Sequence, residues 1–145
     1  MRVRPCFAFV VAILVAGAPR IVLAQAPPRI VSVSDPQNGG SLTVFAGDTV
    51  KVRLHSNPST GYSWQVTQVN KQVLEQQGES DFEPPPKNIP GAIGHSVFRF
   101  LAAATGTTTL QLAYTRPWEK DKPPVRVFSL EVTVQPASER PLPQP

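Results

Sequence analysis

Thr49-Val50-Lys51-Val52-Arg53-Leu54-His55 leads into Ser56-Asn57-Pro58-Ser59-Thr60-Gly61 and then Tyr62-Ser63-Trp64-Gln65-Val66. In the first segment Val50, Val52 and Leu54 alternate with charged or polar residues. In the third, Tyr62, Trp64 and Val66 alternate with Ser63 and Gln65. A spacing of two is the signature of strands with one buried face. Between them, Pro58 fixes its own φ and holds Asn57 extended, while Gly61 permits a positive φ. Ser59 and Thr60 can bond back to the backbone. The segment thus reads as strand, stiff turn, strand.

The same alternation extends outward in both directions. Strands are expected at Ile30–Ser34, Ser41–Phe45, Thr49–His55, Tyr62–Val69, Gln72–Gln76 (short), Ser96–Ala102, Thr107–Tyr114 and Val125–Val134. Val97, Phe98, Phe100 and Leu101 occupy both faces of Ser96–Ala102, which marks it as a more central strand. Proline and glycine recur too often for an amphipathic helix. Seven or eight short strands at this spacing predict an all-β, immunoglobulin-like antiparallel sandwich. Every second connection then falls at the same end. Ala46-Gly47-Asp48, Asn70-Lys71 and Ala103–Gly106 make one end, and all are tight. Ser56–Gly61, Gln77–Ile93 and Thr115–Pro124 make the other, and all are longer. Long loops in a compact domain are commonly functional, so the second end is the expected binding edge.

The chain has 145 residues, and its first 24 are read as a signal peptide. Arg2 and Arg4 precede an apolar run from Phe7 to Ala18, and Val22-Leu23-Ala24 suits cleavage before Gln25. The run is too short to span a bilayer, and Cys6 precedes it instead of closing it as a lipoprotein cysteine would. No membrane association is expected after cleavage. Arg2, Arg4 and Arg20 leave with the leader, so the 14 basic residues become 11 against 10 acidic ones. That balance is no argument for nucleic acid. The only cysteine also leaves, so stability must come from a core, for which about 120 residues suffice. Residues 25–28 and 136–145 are proline-rich and are expected to be flexible or disordered flanks of a domain at 29–135.

The long loops carry the candidate binding residues. Asn57, Pro58, Ser59, Thr60, Gly61 and Tyr62 form either a small hydroxyl-tipped wedge or an ordinary hairpin turn. Trp64 alternates with Tyr62 and Val66, which favours a core position. Trp118 follows Arg116-Pro117 inside a polar loop that offers it little core, and Trp and Arg are enriched at interface hot spots, so binding is favoured. Glu83-Pro84-Pro85-Pro86 is a stiff extended segment or a linker, and Gly91 and Gly94 allow close backbone approach beside Ala92 and Ile93. A nucleophilic Ser59 would need a base with its own orienting group, and neither His55 nor His95 comes with an oxyanion hole or such a partner. No metal-ligand spacing and no phosphate-cradling glycine turn is present, so no cofactor or metal is expected.

Asn57-Pro58-Ser59-Thr60-Gly61-Tyr62-Ser63-Trp64, the Gly91/Gly94 loop and Arg116-Pro117-Trp118 together resemble the chagasin family of cysteine peptidase inhibitors, inhibitor family I42. The likeness covers nearly all of Leu42 to Val134. It implies an immunoglobulin-like domain that inhibits papain-like cysteine peptidases reversibly through three loops. By this resemblance the loop around Ser59 and Thr60 enters the catalytic cleft, and Gly91, Ala92, Ile93 and Gly94 lie along one side. Arg116, Pro117 and Trp118 grip the other. The middle motif departs from the family's Gly-x-Gly-Gly pattern, with Ile93 in place of a glycine, which is expected to alter strength and target range. The expected protein is an exported monomer, periplasmic or secreted, whose partner is a papain-like peptidase. The competing expectation is a non-inhibitory adhesion or envelope-structural sandwich.

Overall fold

A computed structural model describes residues 26–87, 89 and 92–142; the expected signal peptide, Gly91 and the last three residues of the expected C-terminal tail lie outside the described residues. Nine strands are present among the described residues: β1 Ile30–Ser34, β2 Ser41–Phe45, β3 Thr49–Ser56, β4 Ser63–Gln68, β5 Leu74–Gln76, β6 Asp81–Glu83, β7 Gly94–Ala102, β8 Gly106–Thr115 and β9 Arg126–Gln135. One sheet has the order β1-β3-β7-β5, with β6 also paired to β7; the other has the order β2-β9-β8-β4. The sandwich expected from the alternation is therefore the fold.

Both sheets are mixed, not purely antiparallel. β1 runs parallel to β3, and β2 parallel to β9. The reason is the crossing pattern. After β1 the chain crosses to the other sheet for β2 and returns for β3, so β1 and β3 run the same way. β5 and β6 pair with successive stretches of β7, which makes them one interrupted edge strand. The expected long loop Gln77–Ile93 thus contains β6, whose three residues carry too little alternation to stand out. Tyr62, expected to open β4, lies just outside it.

The core follows the predicted faces. Val50, Val52 and Leu54 of β3 meet Trp64, Leu110, Leu112, Phe128, Leu130, Val132 and Val134 of the second sheet. β7 is hydrogen-bonded on both edges and buries Val97, Phe98 and Phe100. Each such side chain contributes roughly 1.5–3 kcal/mol through burial.

The end carrying Ala46-Gly47-Asp48 is closed by a buried ion pair. Asp48 Oδ1 accepts from Arg140 Nη2 at 2.5 Å and from the Arg29 N–H at 2.9 Å, while Oδ2 accepts from the Phe45 N–H at 3.0 Å. Arg140 also donates to the carbonyls of Ala26, Pro27 and Ala46. Residues 136–142 are therefore not a free tail, and Ala26 and Pro27 are not a free N-terminal segment. A 3-10 turn at Ala137–Glu139 brings Arg140 back onto the base of the domain. Proline content foretells an extended segment, but not that one arginine within it reaches a buried carboxylate.

Asp48→Ala is expected to lower stability by about 3 kcal/mol, because it strands a buried guanidinium and frees two backbone donors. Urea unfolding measures this as a fall in midpoint with little change in slope.

Candidate functional site

Strand register brings the long loops together. Ser56, the last residue of β3, pairs with Gly94, the first of β7, and Ser63, the first of β4, pairs with Thr115, the last of β8. The segments 57–62, 84–87 with 92–93, and 116–125 consequently leave the sandwich at one end. The connection Asp35–Gly40 between β1 and β2 lies at this end too, a fourth element that strand counting overlooked.

The first loop is a wedge closed by its own bonds. Residues Pro58–Thr60 form a 3-10 turn, with Asn57 extended before it at φ −129° and Gly61 left-handed after it at φ +78°. Asn57 Oδ1 accepts from the Ser59 N–H at 3.2 Å and the Ser59 hydroxyl at 2.6 Å. The Thr60 hydroxyl donates to the Asn57 carbonyl at 2.7 Å. His55 does have an orienting carboxylate that the sequence did not reveal, Asp35 Oδ2 at 2.9 Å from its Nδ1. The Ser59 hydroxyl, however, is spent on Asn57 within the turn and not on His55.

The wedge is anchored from below. The Asn57 N–H donates to the Tyr114 hydroxyl at 2.9 Å, and Trp64 Nε1 donates to the His55 carbonyl at 3.0 Å. Tyr114 stacks on Tyr62 at 5.4 Å and lies 5.0 Å from Trp64. Trp64 is buried, as its alternation indicated.

The third loop is joined to the wedge. Arg116 Nε donates to the Thr60 carbonyl at 3.2 Å, and its guanidinium lies 4.4 Å from the centre of the Tyr62 ring. Glu119 Oε1 accepts from Lys122 at 3.0 Å and stands 3.5 Å from Arg116 Nη1. The Lys122 hydrogen bond, with the Lys122 and Arg116 charges, holds the Glu119 carboxyl below its ordinary value. The Trp118 ring packs over Gly61, where a Cβ would come within 2.9 Å of the indole. Glycine is therefore required there twice, for its φ and for the space. Trp118 nonetheless remains 66% exposed, so one face packs on the wedge and the other is open.

The middle loop presents Ala92 and Ile93. The Ala92 N–H bonds to the Ile89 carbonyl at 3.0 Å, and Ile93 is 58% exposed. Gly94 is different. It is buried within β7, and a Cβ there would lie 2.7 Å from the Glu83 carbonyl and against the Phe82 ring. The close approach it permits is to its own neighbouring strand β6, so it stands behind the loop and not on its surface.

Residues far apart in sequence buttress this edge. Asp35 Oδ2 accepts from the His55 N–H at 3.0 Å, and Oδ1 accepts from Arg126 Nη2 at 2.6 Å. Partial burial alone would raise the Asp35 carboxyl, but the His55 N–H and the His55 and Arg126 charges together hold it below its ordinary value. The imidazoles of His55 and His95 lie 4.7 Å apart. Burial, with the Arg53 and His55 charges, pushes His95 below the usual histidine range. No sequence signal links Asp35 to Arg126, which are 91 residues apart. Tyr114 was visible as the last alternating residue of its strand, though its hydroxyl's partner was not.

The sandwich therefore carries its long loops at one end, with the first and third bonded to each other. The sequence profile of the Chagasin family peptidase inhibitor I42 matches residues 43–132. Chagasin of Trypanosoma cruzi is 35% identical over 89 residues, covering 59% of this chain and 81% of chagasin. Amoebiasin-2 of Entamoeba histolytica is 30% identical over 103 residues, 71% of this chain and 84% of that protein. The crystal structure of the cysteine protease inhibitor EhICP2 from Entamoeba histolytica superposes with a TM-score of 0.64 at 26% identity, covering 74% of this chain and 96% of that one. The chain belongs to the chagasin family of peptidase inhibitors, and it is an inhibitor, not an enzyme.

Two outcomes test this geometry. Tyr114→Phe is expected to cost about 1–2 kcal/mol, since the Asn57 N–H loses its acceptor while the ring packing stays; thermal unfolding reads this. The lowered Asp35 pKa means that its contribution is present above the ordinary carboxylate value of 3.8 and is lost as pH falls through the folded value. Asp35→Asn should therefore be less stable than wild type at pH 6, with the gap narrowing as the pH falls below that value in urea titrations.

Proposed function

We propose that this chain is an exported, monomeric inhibitor of papain-like cysteine peptidases. The wedge Asn57–Tyr62 fills the catalytic cleft, with Ala92 and Ile93 along one side and Arg116, Pro117 and Trp118 on the other. Gly91 would continue the middle contact. The sandwich from Ile30 to Gln135, tied at its base through Ala26, Pro27 and Arg140, carries these loops, and residues 1–24 act as the export signal. Among the described residues no helix is long and apolar enough to cross a membrane.

The observation that carries this reading is the fusion of the first and third loops. Trp118 packs on Gly61, and Arg116 bonds to the Thr60 carbonyl, so the two loops present one rigid surface. A preformed surface loses little conformational freedom on docking, which is how standard-sized protease–inhibitor interfaces bind tightly. The tip is small and uncharged, and both its hydroxyls are engaged within the turn. Such a tip can enter a narrow cleft without stranding a charge. The mechanism is therefore occlusion: the wedge covers the target's catalytic cysteine and histidine without offering a strained peptide bond for attack.

Titrating papain with the purified protein tests the reading. Inhibition that is reversible and stoichiometric supports it, while a folded protein that leaves papain active at micromolar concentration refutes it. Trp118→Ala should raise the inhibition constant about 30-fold, the equivalent of about 2 kcal/mol at a hot spot. Thr60→Asp should weaken inhibition at least about tenfold, by carrying a carboxylate into a desolvated cleft. Both variants should keep the wild-type β spectrum.

A further inference from the structure

A groove of about 530 Å³ opens on the binding edge, between the wedge, Ile93 of the middle loop and the returning limb of the third loop. The stacked pair Tyr62 and Tyr114 line it together with Ile93 and Val125. Ile93 and Val125 are 58% and 57% exposed, so both offer open apolar surface to the groove. Val125 lies outside the Arg116-Pro117-Trp118 motif, and the Trp118 indole is not among the groove's walls.

We propose that this groove seats one uncharged, apolar side chain projecting from the rim of the bound peptidase's cleft, with Ile93 and Val125 gripping it. The inference rests on the inhibitor reading above and adds a contact to it. Charge decides the occupant's chemistry. Two guanidiniums, Arg116 and Arg126, flank the groove, and each already has a carboxylate partner. Arg116 is held by Glu119 and the Thr60 carbonyl, and Arg126 by Asp35. An acidic occupant would have to compete with those bonds, whereas an apolar one needs only the aromatic and aliphatic walls. Continuity with the wedge supplies the second argument. Asn57 and Thr60 line the groove as well, so a peptidase straddling the wedge brings its rim over this opening. A large apolar or aromatic side chain buries enough surface to act as an anchor there. Ile93 then acts as a wall for a particular shape, and the departure from glycine becomes a determinant of which peptidase fits.

The test measures inhibition constants against papain for the wild type, Val125→Asp, Val125→Lys, Trp118→Ala and Ile30→Asp, with thermal unfolding of each. Val125→Asp and Val125→Lys should each weaken inhibition at least about tenfold, since either charge desolvates badly in an apolar seat. Ile30→Asp makes the same charge change on an exposed residue at the opposite end and should leave inhibition unaltered. Wild-type inhibition weakened by Trp118→Ala but untouched by the Val125 variants overturns the groove and spares the inhibitor reading. A loss with only one of the two charges also overturns it, because the groove would then be reading charge. Self-association of the wild type that Val125→Asp abolishes would assign the groove to a second copy and overturn it likewise. If neither wild type nor any variant inhibits papain, the inhibitor reading fails and the groove assignment falls with it.

Discussion

Tyr114 stands where the core becomes the binding edge. Its ring lies between Tyr62 and Trp64, on the last turn of buried aromatic packing in the second sheet. Its hydroxyl accepts the Asn57 N–H, the first backbone donor of the wedge. A backbone donor buried without a partner costs more than the bond itself contributes, so this contact dictates where Asn57 can sit. Pro58, the 3-10 turn and Gly61 then propagate that placement to the tip. Arg116 and Trp118 take their own positions from the wedge, through the Thr60 carbonyl and the surface of Gly61. A chain of short-range contacts thereby carries rigidity from the sandwich to its exposed end.

Ion pairs hold the arginines that crowd this edge. Arg116 faces Glu119, Arg126 faces Asp35, and Asp35 also meets His55. Isolated surface pairs contribute little to stability. Here their value lies in holding side chains still, since a long arginine that is already bonded loses less freedom when a partner arrives. Stacking against Tyr62 and Trp64 restricts the two guanidiniums further. The opposite end of the domain uses the same chemistry differently. Asp48 and Arg140 are both buried, and there the pair ties the chain's flanks to the base.

Much of this was readable in the chain. The alternation of Val50, Val52 and Leu54, and of Leu110 and Leu112, predicted buried faces because a strand sends successive side chains to opposite sides. The wedge was legible because proline, asparagine and glycine act on their own backbone. Three features were not. The parallel pairings of β1 with β3 and β2 with β9 depend on crossing between sheets, which no local pattern encodes. The three residues of β6 form a strand only because β7 offers an open edge. Gly94 looked like a loop glycine, yet its missing Cβ makes room for Phe82 and the Glu83 carbonyl.

Local residues thus marked most of the strands, the stiff turn, and which connections are long. These properties follow from φ restrictions and side-chain periodicity, which act within a few residues of their cause. Whether the loops meet as one surface was decided only by the folded chain. Arg116 reaches Thr60 across 56 residues and Arg126 reaches Asp35 across 91. Contacts of that span exist only after strand register has placed both partners, so they can be seen in the tertiary structure and nowhere earlier.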